Sequence, residues 1–422
     1  MQNKIQERTA PFGGRNEHFR SIAYALSESR PHFDAVHTVS LMATHAPSTT
    51  GRNIACGNTP LGDRRPSVDF VRSSYLGLDN HPVIVAGAIE AQRALHSSSI
   101  RTQISFDPLK KLEATLSEMF SARVLVFSSG AVANLLALPI LGSGRLTDGI
   151  KPVVVFDRFA DLSLAYHKPA VGSETQVEMI EHNDLDALER MCRKNPSVAY
   201  VCDGVYSEGG YSPIQELRQL QHRYGLFLYI NDANGISIFG REGEGFARSQ
   251  FPAVLGERTI IAASLAKGFG ASGGLLMVGT ADHETLFRRY CQPYAFSLAP
   301  NLTAVGAALG SCKVHRSAEL RQRQERLAQR LDLFDRRVAT AAQGNPFPIR
   351  PIALRSEANA IAIARGLLDC GFCTLLIPRA GQGYAEIQVC VTAEHETRDI
   401  ERLCDCILEQ VVETTGKPYP LR

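Results

Sequence analysis

The 422-residue chain is long enough to bury a substantial core and to form one large and one small domain. A hydrophobic content of 44% and a charged content of 21% place it with ordinary soluble globular proteins. A net charge of +2, with acidic and basic residues interspersed, excludes a nucleic-acid footprint and a polybasic membrane patch. Lys4, Glu7, Arg8 and Arg15 stand at the N-terminus with no apolar run behind them, so no signal peptide is expected. Residues 1–66 are polar and weakly periodic, apart from a candidate helix at Glu17–Ser29, and read as an arm packing on the body or on a second subunit.

From Val68 the pattern tightens. Val68–Val71 is strand-like, His81-Pro82 opens a helix to about Leu95, and Leu109–Phe120 is an amphipathic helix. Short apolar runs then alternate with helical segments. The runs are Arg123–Phe127, Val153–Phe156, Val177–Ile180, Val198–Cys202, Leu226–Ile230, Thr259–Ala263 and Leu275–Val278; helices are expected from Ala131, around Leu162, from Leu185 and at Ile214–His222. Uncharged Val124–Gly144 could pass for a membrane span. Ser128, Ser129, Gly130, Asn134 and Pro139 interrupt it, so strand, turn and helix is the better reading. Apolar strands separated by helices imply crossovers and a mostly parallel α/β sheet covered on both faces, with ligands at the strands' carboxyl ends.

A long helical region, Leu302–Ala341, links residues 67–340 to a C-terminal α+β domain, residues 341–422. That domain is expected to hold strands near Ile352 and at Tyr384–Val391, with helices at Asn359–Leu368 and Glu396–Glu413. The ten cysteines are scattered. Without a second CxxC or a histidine cluster, Cys370-x-x-Cys373 reads as incidental core thiols and no metal site is expected. The scatter points to a reducing cytoplasm.

Polar residues gather at the strand ends. Ser128-Ser129-Gly130 follows one strand and opens a helix, where backbone N–H groups and the helix dipole can hold an anion such as phosphate. Asp203–Gly210 and Asn231-Asp232-Ala233-Asn234-Gly235 follow two further strands. After Thr259–Ala263 comes Ser264-Leu265-Ala266-Lys267, then Gly268, Gly270, Gly273 and Gly274. A lysine among such small neighbours suits a covalently held flat cofactor, as a pyridoxal 5'-phosphate (PLP) Schiff base requires; it also suits a solvated lysine in a Gly-rich turn.

In this order the motifs resemble the α-oxoamine synthases, PLP enzymes of fold type I that join an amino acid to an acyl thioester with loss of carbon dioxide. The phrases are Ser74–Leu78 with His81-Pro82, Phe127–Asn134, His182-Asn183-Asp184, Asp203–Ser207, Gly240–Gly245, the Lys267 loop and Thr392-Ala393-Glu394-His395. They cover about residues 68–410. Ala263–Lys267 is further similar to the branch that makes α-hydroxyketone signals. The resemblance implies a large domain with a mostly parallel seven-stranded sheet, a homodimer, and an acyl-CoA or carrier-protein thioester as second substrate. Lys267 would carry the cofactor and move the substrate's α-proton. Ser129, Gly130, Ala131 and Ser264 would bind the phosphate, and Ser207 would lie near the ring's phenolic oxygen.

Several positions depart from the family pattern. The Asp that pairs with the ring nitrogen falls on Asn231, and the His beside the phenolic oxygen falls on Asn234. An amide supplies no anion, which weakens carbanion stabilisation. Asp232 substitutes only if the strand end slips by one residue, since side chains alternate across a strand. The ring-stacking His falls on Asp161, with His167 an alternative if the loop is rebuilt. The Arg that holds the substrate carboxylate falls on Glu386, and Gln388 takes the second basic position; either Arg379 takes over or the substrate carries no carboxylate there. The expected activity is a PLP-dependent acyltransferase acting on an amino acid or amine; the alternatives are aminotransferase-like chemistry and a non-catalytic partner subunit.

Overall fold

The computed structural model describes residues 49–50, 52–56, 65–93, 107–207, 210–290, 294, 300–379 and 384–417. The candidate helix at Glu17–Ser29 and most of the expected arm lie outside these. Three sheets form. β1 (Thr49–Thr50), β2 (Asn53–Cys56) and β3 (Arg65–Asp69) make one with the later β12 (Phe372–Cys373). The central sheet holds β4 (Arg123–Phe127), β5 (Val153–Asp157), β6 (Val177–Ile180), β7 (Val198–Asp203), β8 (Phe227–Asn231), β9 (Thr259–Ser264) and β10 (Gly274–Val278). Its order is β4-β10-β9-β8-β7-β5-β6; the pairs among β5 to β9 are parallel, and β10 is antiparallel to both β9 and β4. β11 (Ile349–Leu354), β13 (Leu375–Arg379) and β14 (Tyr384–Cys390) form the third sheet, with β14 in the middle.

The central strands are continuous apolar runs because helices cover both faces. Leu228 and Ile230 of β8 enter one core with Tyr200 and Cys202 of β7, whereas Phe227 and Tyr229 enter the other with Ala199 and Val201. This alternation decides which strand-end residues meet. Asp203 and Asn231 continue the second face, which the helix Gly130–Gly142 covers through Ala133, Leu136 and Ala137. Asp157 and Asp232 continue the first.

A third core fills the C-terminal sheet and the helices Glu357–Asp369 and Thr397–Thr415. It also takes in Phe70, Tyr75, Leu76, Leu78 and Ile84, together with Leu320, Leu327, Leu331 and Phe334 of the helix Ala318–Arg337. The long helical region is therefore two helices, Leu302–His315 and Ala318–Arg337; Ser317 begins the second by accepting from Glu319 N at 3.2 Å. β13 and the polar helix Ala281–Tyr290 were not anticipated. β13 contains Pro378, which suits only the edge position it occupies. Cys370 is exposed and Cys373 half-buried, so this pair is not a core feature. Among the described residues no helix is long and apolar enough to cross a membrane, and no cluster suited to a metal ion occurs.

Candidate active site

Lys267 lies on the connection between antiparallel β9 and β10, which Leu265 N closes onto Gly273 O at 2.9 Å and Ala271 N onto Leu265 O at 2.9 Å. Gly270 turns the loop at φ +69°, where a Cβ would fall 2.4 Å from Leu78 Cβ. From the far side Ser311 Oγ donates to Phe269 O at 2.5 Å, anchoring the loop on the helix Leu302–His315. The lysine is thus placed by a rigid turn and points inward. Its Nζ donates to Asn234 Oδ1 at 2.7 Å. Tyr75 Oη donates to the same oxygen at 2.8 Å, and Asn234 Nδ2 donates to Val205 O at 3.0 Å, so three bonds fix the amide. Burial lowers the Lys267 pKa, because the charged form loses water; Asp161, Asp203 and Cys390 pull it partly back.

β7 and β8 end side by side, with Asp203 opposite Asn231 in register. Asn231 Nδ2 donates to Asp203 Oδ1 at 2.6 Å, and the Asp161 backbone N–H donates to Asp203 Oδ2 at 2.7 Å. Asp203 is 1% exposed. Burial pushes its pKa well above the carboxylate range and the Asp161 charge adds to this, while the two hydrogen bonds and Lys267 oppose it. Asp161 Oδ1 accepts from Ser163 N at 2.8 Å and so begins the helix Leu162–Ala165.

The loop that carries Asp161 is held from the sheet's other face. Asp157 accepts from Phe159 N at 2.8 Å, Asn183 N at 3.0 Å and Tyr200 Oη at 2.7 Å, and pairs with His182 Nδ1 at 2.9 Å. These bonds outweigh burial and hold its pKa below the usual value. His182 in turn stacks on Phe159 at 4.6 Å between ring centroids.

A helix N-terminus faces the lysine loop and forms a cradle of backbone donors. Ser129 begins the helix Gly130–Gly142 by accepting from Val132 N at 3.2 Å, which leaves the Gly130 and Ala131 N–H groups without an intrahelical acceptor. Gly274 packs directly beneath: a Cβ there would lie 2.2 Å from Gly130 N and 2.3 Å from Ser129 C. Gly130 approaches Ser264 Cβ, at 3.6 Å from its own would-be Cβ, so β9 closes the cradle's side. Backbone donors, a helix N-terminus and an enclosed lysine amine are the parts that a phosphate-bearing aldehyde such as PLP requires, and their arrangement fits it.

Among the residues singled out from sequence, Lys267, Asn234, Asn231 and Asp161 are brought together, and Ser129, Gly130, Ala131 and Ser264 line the cradle. Ser207 lies in the loop after β7, two residues beyond Val205. Asp232 is not in the cluster. The strand end does not slip, so its carboxylate turns to the opposite face and accepts from Ala247 N at 2.9 Å. Gly204, Gly235 and Gly245 crowd round it, each with a would-be Cβ within 2.5 Å of one of its oxygens. Burial raises its pKa to about 8. His167 stands before the helix Lys168–Gly172 and makes no side-chain cap bond; the loop keeps Asp161, not His167, beside Asp203. Glu386 and Gln388 are buried along the β14 face that ends in Cys390, while Arg379 closes β13 by pairing with Tyr384. Two members of the cluster, Tyr75 and Cys390, escaped the sequence-based expectation. Tyr75 stood in a quoted motif, but its partner is 159 positions away.

The family model for aminotransferase class I and II matches residues 66–407. The 8-amino-7-oxononanoate synthase of Maricaulis maris is 30% identical over 374 residues, covering 84% of this chain and 91% of that protein. The serine palmitoyltransferase of Sphingomonas wittichii shares the fold at a TM-score of 0.79 and 19% identity, over 94% of this chain and all (100%) of that one. A serine palmitoyltransferase structure with a PLP internal aldimine aligns at a TM-score of 0.79 and 18% identity, over 94% and 99%. The chain belongs to the class I and II aminotransferase family, and within it to the α-oxoamine synthases.

Proposed function

We propose that this protein is a PLP-dependent acyltransferase that joins an amino acid or amine to an acyl thioester delivered by coenzyme A or a carrier protein. With an amino acid, a bond forms between its α-carbon and the acyl carbonyl carbon. The thioester C–S bond breaks and the thiol leaves with the proton taken from the α-carbon, while the α-carboxylate departs as carbon dioxide and the electron pair it leaves takes a proton from solvent. Lys267 carries this reading: its amine is enclosed, hydrogen-bonded to Asn234, and opposite a helix N-terminus that a glycine at 274 keeps open. PLP bound there supplies an aldehyde for the amines and a ring that withdraws electrons from the substrate's α-carbon.

The chain's own groups then divide the work. Gly130 and Ala131 N–H, with the Ser129 and Ser264 hydroxyls, would hold the phosphate. The lowered pKa of Lys267 raises its neutral, nucleophilic fraction, and Asn234 aims it. The same amine, when free, would take the α-proton. By the family resemblance Asp161 would face the ring, Ser207 and Asn234 would lie near its phenolic oxygen, and Asn231 near its nitrogen. Glu386 and Arg379 are the candidates for the substrate's far polar group. A homodimer is the proposed assembly, and the exposed Phe159, Leu162 and Tyr166 beside Asp161 offer it an apolar surface. The described cysteines are free thiols, which suits a cytoplasmic setting.

The test is to reconstitute the purified chain with PLP, record its absorbance, reduce with borohydride and map the labelled peptide. Label on Lys267, and amine-dependent release of thiol from an acyl-CoA by the unreduced holoenzyme, is the expected result. A label on another lysine, or no bound cofactor, would overturn the proposal.

A further inference from the structure

Given the proposed PLP chemistry, we infer that Asp203 supplies, through the amide of Asn231, the negative charge that sets the protonation of the cofactor's ring nitrogen. Asn231 stands where the family resemblance places a direct anion, and an amide alone cannot fill that role. The adjacent strand offers the charge one residue away. Asp203 and Asn231 are register partners on the same sheet face, 1% and 4% exposed, joined by a 2.6 Å bond of charge-assisted length.

Both oxygens of Asp203 are committed, one to Asn231 Nδ2 and one to the Asp161 N–H, so the carboxylate cannot turn toward the ligand itself. It acts through its neighbour. With one N–H of Nδ2 given to Asp203, Asn231 keeps a second N–H and Oδ1, and Oδ1 only accepts. A ring nitrogen facing Oδ1 must therefore carry a proton to be satisfied.

The reverse arrangement is also self-consistent. A protonated Asp203 donates to Oδ1, and the turned amide presents N–H to a bare ring nitrogen. The three groups thus share one proton, and the amide's orientation follows where it resides. Burial, the largest influence, favours the protonated form of Asp203 and the Asp161 carboxylate adds to it, whereas the Asp161 N–H, Asn231 and Lys267 favour the ionised form, as a cationic ring nitrogen beyond Asn231 would. Cys202 and Tyr206, the other titratable neighbours, are themselves buried with thiol and phenol pKa values raised, so both stay neutral.

Asp203 is accordingly a positioning residue, and the ring nitrogen is the atom to observe. Holoenzyme loaded with PLP labelled with 15N in the ring is titrated from neutral to alkaline pH by NMR, alongside its absorbance. In the parent chain the ring nitrogen should pass from protonated to bare within this range. Asp203→Asn should abolish the step, leaving the nitrogen bare throughout, and Asp203→Glu should restore part of it. Asn231→Asp, a second variant should the first fail to fold, puts the anion in direct contact and should move the step upward by about 1–3 pH units. Identical titrations in the parent and Asp203→Asn, or an unmoved step in Asn231→Asp, overturn the relay while leaving cofactor binding intact. A parent chain that takes up no PLP overturns the proposed function and the relay together.

Discussion

Replacing Gly274 by alanine tests whether the floor of the phosphate cradle is built by close backbone packing. The added Cβ would sit 2.2 Å from Gly130 N and 2.3 Å from Ser129 C, both main-chain atoms that no rotamer change can move aside. Reaching an ordinary 3.4 Å contact requires β10 and the cradle to part by about 1.2 Å, more than a hydrogen bond to phosphate tolerates. Overpacking of this kind costs about 1–3 kcal/mol. A donor group displaced by about 1 Å can also cost on the order of 100-fold in function. Urea unfolding of the cofactor-free chain and fluorescence titration with PLP separate the two effects. Gly256→Ala is the control, since nothing lies within 4 Å of its would-be Cβ. If Gly274→Ala unfolded like the control and bound PLP as tightly as the parent, the cradle would not be where it is placed here.

Four further outcomes are expected. Asp157→Asn sets an amide N–H against donors that now meet a carboxylate, and should cost about 2–4 kcal/mol in urea unfolding; a loss under 1 kcal/mol would refute its role as anchor of the Asp161 loop. His315 and His395 are buried and held neutral with pKa values lowered to about 4 from 6.5, so the unfolded chain takes up protons that the folded one refuses. Stability should be full above pH 6.5 and fall toward pH 4, by about 2 kcal/mol per histidine at pH 5; an unfolding free energy flat over that window contradicts it. Tyr75→Phe removes one donor to Asn234 Oδ1, and should cost about 1 kcal/mol and loosen the seat of Lys267, read as slower PLP capture by the amine. Asp161→Asn removes a charge that raises the pKa of Lys267 and of Asp203 alike, so the pH profile of PLP capture should move to lower pH; a move to higher pH would place Asp161 away from the amine.

The central sheet was legible almost to the residue because parallel strands buried on both faces must be apolar throughout. Arg123–Phe127 and Val177–Ile180 have the bounds their composition suggests; the others differ by a residue at one end, and Phe227–Asn231 is shifted by one residue at both. Legibility fell where polarity or proline masked an element, as in Ala281–Tyr290 and Leu375–Arg379. It failed for the C-terminal core, which draws Phe70–Ile84 from nearly three hundred positions away; no local pattern carries such a contact. The alternation rule did foresee that Asn231 and Asp232 face opposite ways. What it could not supply was the register of β8 against its neighbours, and hence which of the two would meet the lysine.

Asn231, Asn234 and Asp161 depart from the family pattern at neighbouring points in space, and each departure has a partner that only the fold reveals. An amide at 234 brings an acceptor, and the acceptor is filled by Tyr75 as well as by Lys267. An amide at 231 brings no charge, and Asp203 stands one strand over with its carboxylate on that amide. Asp161 offers no ring to stack, but its N–H secures the second oxygen of Asp203 while its side chain begins the next helix. Without those two donors burial would push that carboxylate still further toward its protonated form and weaken its influence on whatever lies beyond Asn231. The substitutions are therefore interdependent: restoring an aspartate at 231 alone would set two buried carboxyl groups against each other, and one of them must hold a proton.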